Sequence, residues 1–260
     1  MKKAFIILVL VAFFAASLAY AEAIPIKNIW QGKTRLMARE ESTGKLLWQS
    51  EVQVQKIEHN GQPALHIFEE GARFSDKESN YASWNYESYS RLEGTKILPD
   101  QIKIVFKNGK GEIFKILNKF FDYENKKIIC KVNGENEEFE FNDDIVDKEN
   151  LGIYLSNFPF GMKKEFSFHL LNHDPALQKM IIRYKGKEDL KIGKNVIKCH
   201  KLEMIPDLGA LNLLDVFIPK IYFWYEVEAP HNFVKYQGLE NGLGTPYIIL
   251  ESQVLAGKSG

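Results

Sequence analysis

Apolar and polar side chains alternate through run after run of this chain. A period of two is the signature of an extended strand with one buried face and one solvated face. Trp48, Val52 and Val54 share a face, as do Leu65 and Ile67 after the turn Asn60-Gly61. Ala82, Trp84 and Tyr86 alternate, and Ile102, Ile104 and Phe106 run into Asn108-Gly109. Ile128, Cys130 and Val132 lead to Asn133-Gly134, and Phe139 and Phe141 answer on the return. An Asn-Gly corner between two alternating runs is a strong hairpin signal, because both residues tolerate positive φ. Lys126, Lys127 and Lys131 on the first arm oppose Glu135, Glu137, Glu138 and Glu140 on the second. Each facing pair adds about 0.2–1 kcal/mol. The acidic stretch that continues to Glu149 lacks the spacing of a calcium loop and reads as a solvated face.

The pattern resumes at Phe166, Phe168 and Leu170, then at Met180, Ile182 and Tyr184, and again from Val196 to Met204. Ile221 to Val227 is a strongly aromatic strand, and Phe233 to Tyr236 and Tyr247 to Leu250 complete the set. Between the halves, Asp147 to Phe158 is predicted as a helix, with Asp143, Asp144 and Asp147 able to cap its start and Pro159 to stop it. About 12 or more strands with few helices imply a mainly β fold, a curved antiparallel sheet or half-barrel carrying one or two short packing helices. The 18 Phe, 11 Tyr and 4 Trp suit such a sheet, because flat rings cover a pleated surface well.

The N-terminus points to export. Lys2 and Lys3 precede an uninterrupted apolar and small-residue run from Ala4 to Leu18, and Ala19-Tyr20-Ala21 places small residues where a signal peptidase reads. Residues 1–21 are therefore expected to be a signal peptide cleaved near Ala21, although Ala21-Glu22-Ala23 also fits. Residues 22–260 then form a single β-rich domain in the periplasm. The apolar run is short for a membrane span. The 34 Lys and Arg balance 34 Asp and Glu, which argues against nucleic acid as a partner. In an oxidising compartment Cys130 and Cys199 could form a disulfide, or remain two separate buried thiols.

Set in order, the second half carries Leu151-Gly-Ile-Tyr-Leu-Ser-Asn-Phe-Pro-Phe-Gly161, an aromatic strand, and Gly193-Lys-Asn-Val-Ile-Lys-Cys-His-Lys-Leu-Glu203. Ile221-Tyr-Phe-Trp-Tyr-Glu-Val227, Pro230 and Val234-Lys-Tyr236 follow. This arrangement resembles a broad family of exported bacterial β-sheet proteins of unknown function, over about residues 28–252. Trp224 fits that family's Trp-bearing strand, whereas Pro230 is followed by His231-Asn-Phe233 rather than directly by an apolar residue. The resemblance implies a half-barrel similar in shape to periplasmic lipoprotein carriers, and it implies no catalytic residues.

Catalytic and metal-binding patterns are weak. His169 and His173 are four apart, but the strand alternation around Phe168 separates them and leaves His173-Asp174-Pro175 as a turn, so no metal site is expected. His200 and Glu203 fall on opposite strand faces. No Gly-x-Ser-x-Gly elbow is present, and Gly242-Leu-Gly244 and Gly109-Lys-Gly111 lack the spacing of cofactor loops. No enzyme activity and no cofactor are expected. An envelope hydrolase would require His169, His173 or His200 to meet an acid or a Cys.

The most distinctive segment is Ile205 to Pro219, a connection between strands rich in Leu208, Leu211, Leu213, Leu214, Val216, Phe217 and Ile218. It reads either as core or as a lip over an apolar cavity, with Leu208, Leu211, Leu213, Leu214, Phe217, Ile218 and Trp224 as ligand contacts. The expectation is a non-enzymatic periplasmic binding or carrier module for a hydrophobic ligand such as a lipid or acyl chain. The alternative is an assembly protein that engages another envelope protein. Either role allows peripheral membrane contact.

Overall fold

A computed structural model of the chain describes residues 24–74, 81–141, 145–173, 176–209, 219–242 and 244–254. The expected signal peptide, Asp143, Asp144 and most of the Leu-rich connection lie outside these residues.

Alternation becomes strands throughout. The first arm contains β1 (Gly32–Glu40), β2 (Leu46–His59), β3 (Gln62–Arg73), β4 (Ser83–Glu93), β5 (Lys96–Lys107), β6 (Ile113–Asp122), β7 (Lys127–Val132) and β8 (Glu135–Glu140). The second contains β9 (Ile145–Asp147), β10 (Glu165–Leu171), β11 (Leu177–Ile192), β12 (Asn195–Pro206), β13 (Ile221–Glu226), β14 (Phe233–Leu239) and β15 (Tyr247–Val254). Together they form one open sheet in the order β8-β7-β6-β5-β4-β3-β2-β1-β15-β14-β13-β12-β11-β10-β9. Each arm is thus a meander, and the first strand and the last join the arms at the centre. All pairings are antiparallel except β9 with β10. That parallel pair needs a crossover, and a 3₁₀ turn (Lys148–Asn150) leading directly into helix α1 (Leu151–Ser156) supplies it. The fold is the mainly β, curved half-barrel with a short packing helix that the alternation implies.

Register shifts at Ala38/Arg39, Tyr89/Ser90, Phe106/Lys107, Tyr184/Gly186 and Trp224/Tyr225 mark bulges that increase strand twist and bend the sheet. The expected Asn133-Gly134 corner joins β7 to β8 with φ of 50° and 97°, and Lys127 pairs with Glu138 at 2.9 Å. On β3, the Trp84 ring lies over Gly71 so closely that a Cβ there would sit 2.0 Å from it. Glycine at that position lets the indole cross the strand and donate to Glu69 Oε1 at 3.2 Å.

Side chains on the concave face form two main clusters. Leu65, Ile67, Tyr86, Ile102, Ile104, Leu117 and Ile128 from the first arm pack with Leu171. Phe166, Phe168, Ile182, Leu202, Phe223 and Tyr225 from the second pack with Leu151, Leu155 and Phe158 around α1, and with Ile24. The helix is shorter than the predicted Asp147–Phe158 because Asn157 turns to serve the N-terminal segment. Its Oδ1 accepts from Lys27 N and Asn28 N, both at 2.8 Å, and its Nδ2 donates to Asn28 O at 2.8 Å. Much of the hollow is thus filled by the helix, the N-terminal segment and their neighbours. Among the described residues no helix is long and apolar enough to cross a membrane.

Candidate functional site

The site begins with a lysine on the wrong face. Pairing aligns Val54, Ile67, Ser88, Ile102, Lys119 and Cys130 in one row across β2–β7, all facing the concavity. Lys119 is fully buried there, so its ammonium needs partners from elsewhere. The β9 turn provides them: Nζ lies 2.6 Å from Asp147 Oδ2 and 3.3 Å from Glu149 Oε2. Burial alone would lower the Lys119 pKa, but the two carboxylates override it and hold it above the ordinary value. Burial beside Glu149 pushes Asp147 well above the ordinary carboxyl range. Glu149 is held well below that range, because His173 and Lys119 outweigh its burial. Asp147 also caps the 3₁₀ turn, accepting from Glu149 N at 3.1 Å. The turn that carries α1 is therefore fastened to β6 by a buried ion network. Only part of the acidic stretch is a solvated face: β8 is largely exposed, whereas Asp147 and Glu149 face inward to Lys119.

Beside this network lies a cavity of about 150 Å³, open at one side. Ile97, Leu98 and Pro99 from β5, Phe121 from β6, Phe141, Ile145, Val146 and Tyr154 form its walls, and Ile24 and Ile26 close it. The closing segment is tied down where Ile26 N donates to Thr95 O at 2.6 Å and Ile24 N donates to Tyr154 Oη at 3.3 Å. Four polar or charged residues, Glu93, Lys96, Asp147 and Asn150, also enter the lining. Asp147 is already engaged by Lys119. Asn150 is 4% exposed, and neither its Oδ1 nor its Nδ2 has a hydrogen-bond partner among the described residues. Glu93 and Lys96, of opposite sign, stand on the same wall.

Of the residues expected to contact ligand, neither Leu208 nor Trp224 lines this cavity. Leu208 is 39% exposed. Leu211, Leu213, Leu214, Phe217 and Ile218 lie outside the described residues. Trp224 lies on the face opposite the cavity, because strand alternation turns it away from Phe223 and Tyr225. It is buried against Cys199 and Val234, donates to Glu188 Oε1 at 2.5 Å, and has Lys201 and Lys235 each 4.9 Å from its ring. Cys130 and Cys199 are free thiols in different clusters, which is the separate-thiol arrangement. Burial pushes them up to about 11 and about 12, so both stay protonated and poorly nucleophilic at neutral pH.

Histidine chemistry is also accounted for. His173 Nε2 contacts the Glu149 carboxylate, burial lowers the imidazole's pKa, and the ring packs edge-on against Phe106. Among the described residues it hydrogen-bonds no hydroxyl or thiol, so the pair lacks a nucleophile. His169 sits on β10 opposite Phe168, and no group of three or more metal-ligating side chains occurs among the described residues. His200 stacks on Phe160 with centroids 3.9 Å apart and planes 2° off parallel, and its Nδ1 lies 3.0 Å from Tyr184 Oη. Burial, with His231 and Lys187 nearby, lowers its pKa to about 4. Glu203 faces the other side, between Lys185 and Lys220, as its spacing from His200 requires.

No protein-family model and no curated protein matches this chain. Among solved structures, it is similar to a β-barrel-like protein of domain of unknown function DUF1849 from Brucella abortus. The two share 7% identity over 88% of this chain and 97% of the other, with a TM-score of 0.53. It is also aligned with the hypothetical lipoprotein YmcC from Escherichia coli, 11% identical over 94% and 96% of the two chains, with a TM-score of 0.33. The first likeness is one of fold: this chain shares a curved β-sheet architecture with a bacterial protein of unknown function.

Proposed function

We propose that this protein is a non-enzymatic binding or carrier module of the bacterial cell envelope. It is exported after cleavage near Ala21 and seats the apolar end of a lipid or acyl ligand in the cavity beneath Ile24 and Ile26. One observation carries this reading: the concave face is packed with aromatic and aliphatic side chains, yet an apolar space stays open beside α1. A mostly apolar cavity of this size matches a benzene-sized guest or a few methylenes. It is too small for a whole lipid. Burying four or five methylenes supplies roughly 3–4 kcal/mol before the cost of association, a loose grip that suits transfer. The two lysines and the apolar run of the N-terminus support export, and the free, protonated thiols and the nucleophile-free His173 support a role without catalysis.

The test is to purify the full chain from the periplasm of a bacterial host, read its N-terminus, and identify extracted small molecules by mass spectrometry. Acyl-bearing species should accompany the wild type and be depleted in Ile97→Trp, which fills the space. Equal recovery from both proteins, or none from either, contradicts the proposal.

A further inference from the structure

One wall of the cavity is built unlike the others. Ile97, Phe121, Val146 and Tyr154 are carried by strands or by α1, whereas residues 24–31 form a strap that joins no strand. Ile24 and Ile26, two apart, turn inward and are buried, while Lys27 and Asn28 stay exposed. The strap's polar ties are concentrated on one side chain. Asn157 accepts from Lys27 N and Asn28 N and donates to Asn28 O, and beyond it Thr95 O and Tyr154 Oη accept from Ile26 N and Ile24 N. The strap leaves β1 at Gly32, whose φ of 137° suits glycine, with the Trp30 ring folded so close that a Cβ there would sit 3.3 Å from it. Each such hydrogen bond exchanges with water at little net cost, and a segment outside the strand ladders opens more readily than one within them.

Resting on the cavity reading above, we infer that this strap is an autoinhibitory occupant of the binding groove. Ile24 and Ile26 hold the place of a ligand's apolar chain, and a longer chain enters by displacing them as the strap swings about Gly32. Beneath the closed strap there is room for a few methylenes only. Withdrawing the two isoleucine side chains lengthens the groove along Ile97, Phe121 and Tyr154. The exchange replaces apolar contact with apolar contact, and the strap's backbone groups pass to water. The free energy of opening therefore subtracts directly from the affinity for a long chain. A molecule small enough to fit beneath the strap escapes that cost. Cleavage near Ala21 leaves the strap tethered only at its β1 end.

Amide hydrogen exchange and calorimetry on the full exported chain, with toluene and decanol as probes, test this. Saturating decanol should speed exchange at Ile26, Lys27 and Asn28 by about tenfold or more, whereas toluene should leave those amides unchanged. Asn157→Ala removes the latch and should tighten decanol binding about tenfold, with toluene binding as in the wild type. Ile24→Ser combined with Ile26→Ser should shift the preference toward decanol in the same direction, and covers the case in which the alanine disturbs α1. Exchange at the three amides that stays constant or slows under saturating decanol, or decanol binding no tighter in either variant than in the wild type, makes the strap a fixed wall. Either result overturns this inference and leaves the cavity reading standing if toluene binds. No binding of toluene or decanol by the wild type or the variants overturns both.

Discussion

The two arms of the sheet bury different chemistry on the same concave face. The β2–β7 arm carries Lys119, Tyr86 and three buried serines among its aliphatic residues, whereas the β10–β13 arm buries mainly aromatic and aliphatic side chains around α1. An apolar interior stabilises in proportion to area and tolerates partial repacking. An ion network holds only while every partner is in place. The difference shows where the molecule is fastened and where it is merely filled. The β9 turn is held to the first arm by charge, and α1 to the second by packing, so the cavity lies at the seam between the two modes.

The sharpest way to break this contrast is Lys119→Met. It leaves Asp147 and Glu149 buried without their cation and should cost about 3–5 kcal/mol of unfolding free energy in denaturant titrations. Adding Asp147→Leu should return part of that loss, which a purely steric role for Lys119 would not allow. On the other arm, Leu155→Ala deletes a fully buried side chain and should cost roughly 3 kcal/mol, with the same value at pH 5 and pH 8.

His200 sharpens the comparison through pH. Its folded pKa of about 4 lies below the ordinary value of 6.5, so between these values the unfolded chain binds a proton that the native one does not. Stability contributed by the neutral imidazole is complete above pH 6.5 and is lost as pH falls toward 4. His200→Phe should flatten that limb of the stability curve. The smallest effect is expected from Asn157→Ala, which unlatches Lys27 and Asn28. About 1–2 kcal/mol is lost, together with faster proteolytic cutting near residue 28.

Much of this architecture is legible in the sequence, and the cavity is not. Period-two alternation and the Asn133-Gly134 corner predict strands and a hairpin because those signals are local. Asp147 predicts a helix start for the same reason. The cavity joins Ile24 to Tyr154, and the contact between them spans 130 positions, which leaves no periodic trace. Asn150 sits at the end of an acidic stretch that looks solvated until Lys119 on the inward face of β6 calls Asp147 and Glu149 inside. The one local hint was Lys119 itself, in register with Leu117 and Phe121 on an otherwise apolar face. The Ile205 to Pro219 connection draws attention through composition alone, and composition does not say which side of a sheet a residue occupies: Trp224 is buried, but on the far face from the open space.

The central claim is that the space closed by Ile24 and Ile26 admits an apolar guest. Methyl-labelled protein titrated with toluene and followed by nuclear magnetic resonance tests this directly. The account predicts saturable shifts at the methyls of Ile24, Ile26, Ile97 and Ile145, with Ile221 and Ile248 unmoved. Shifts that grow linearly without saturation, or that cluster away from those four residues, contradict it.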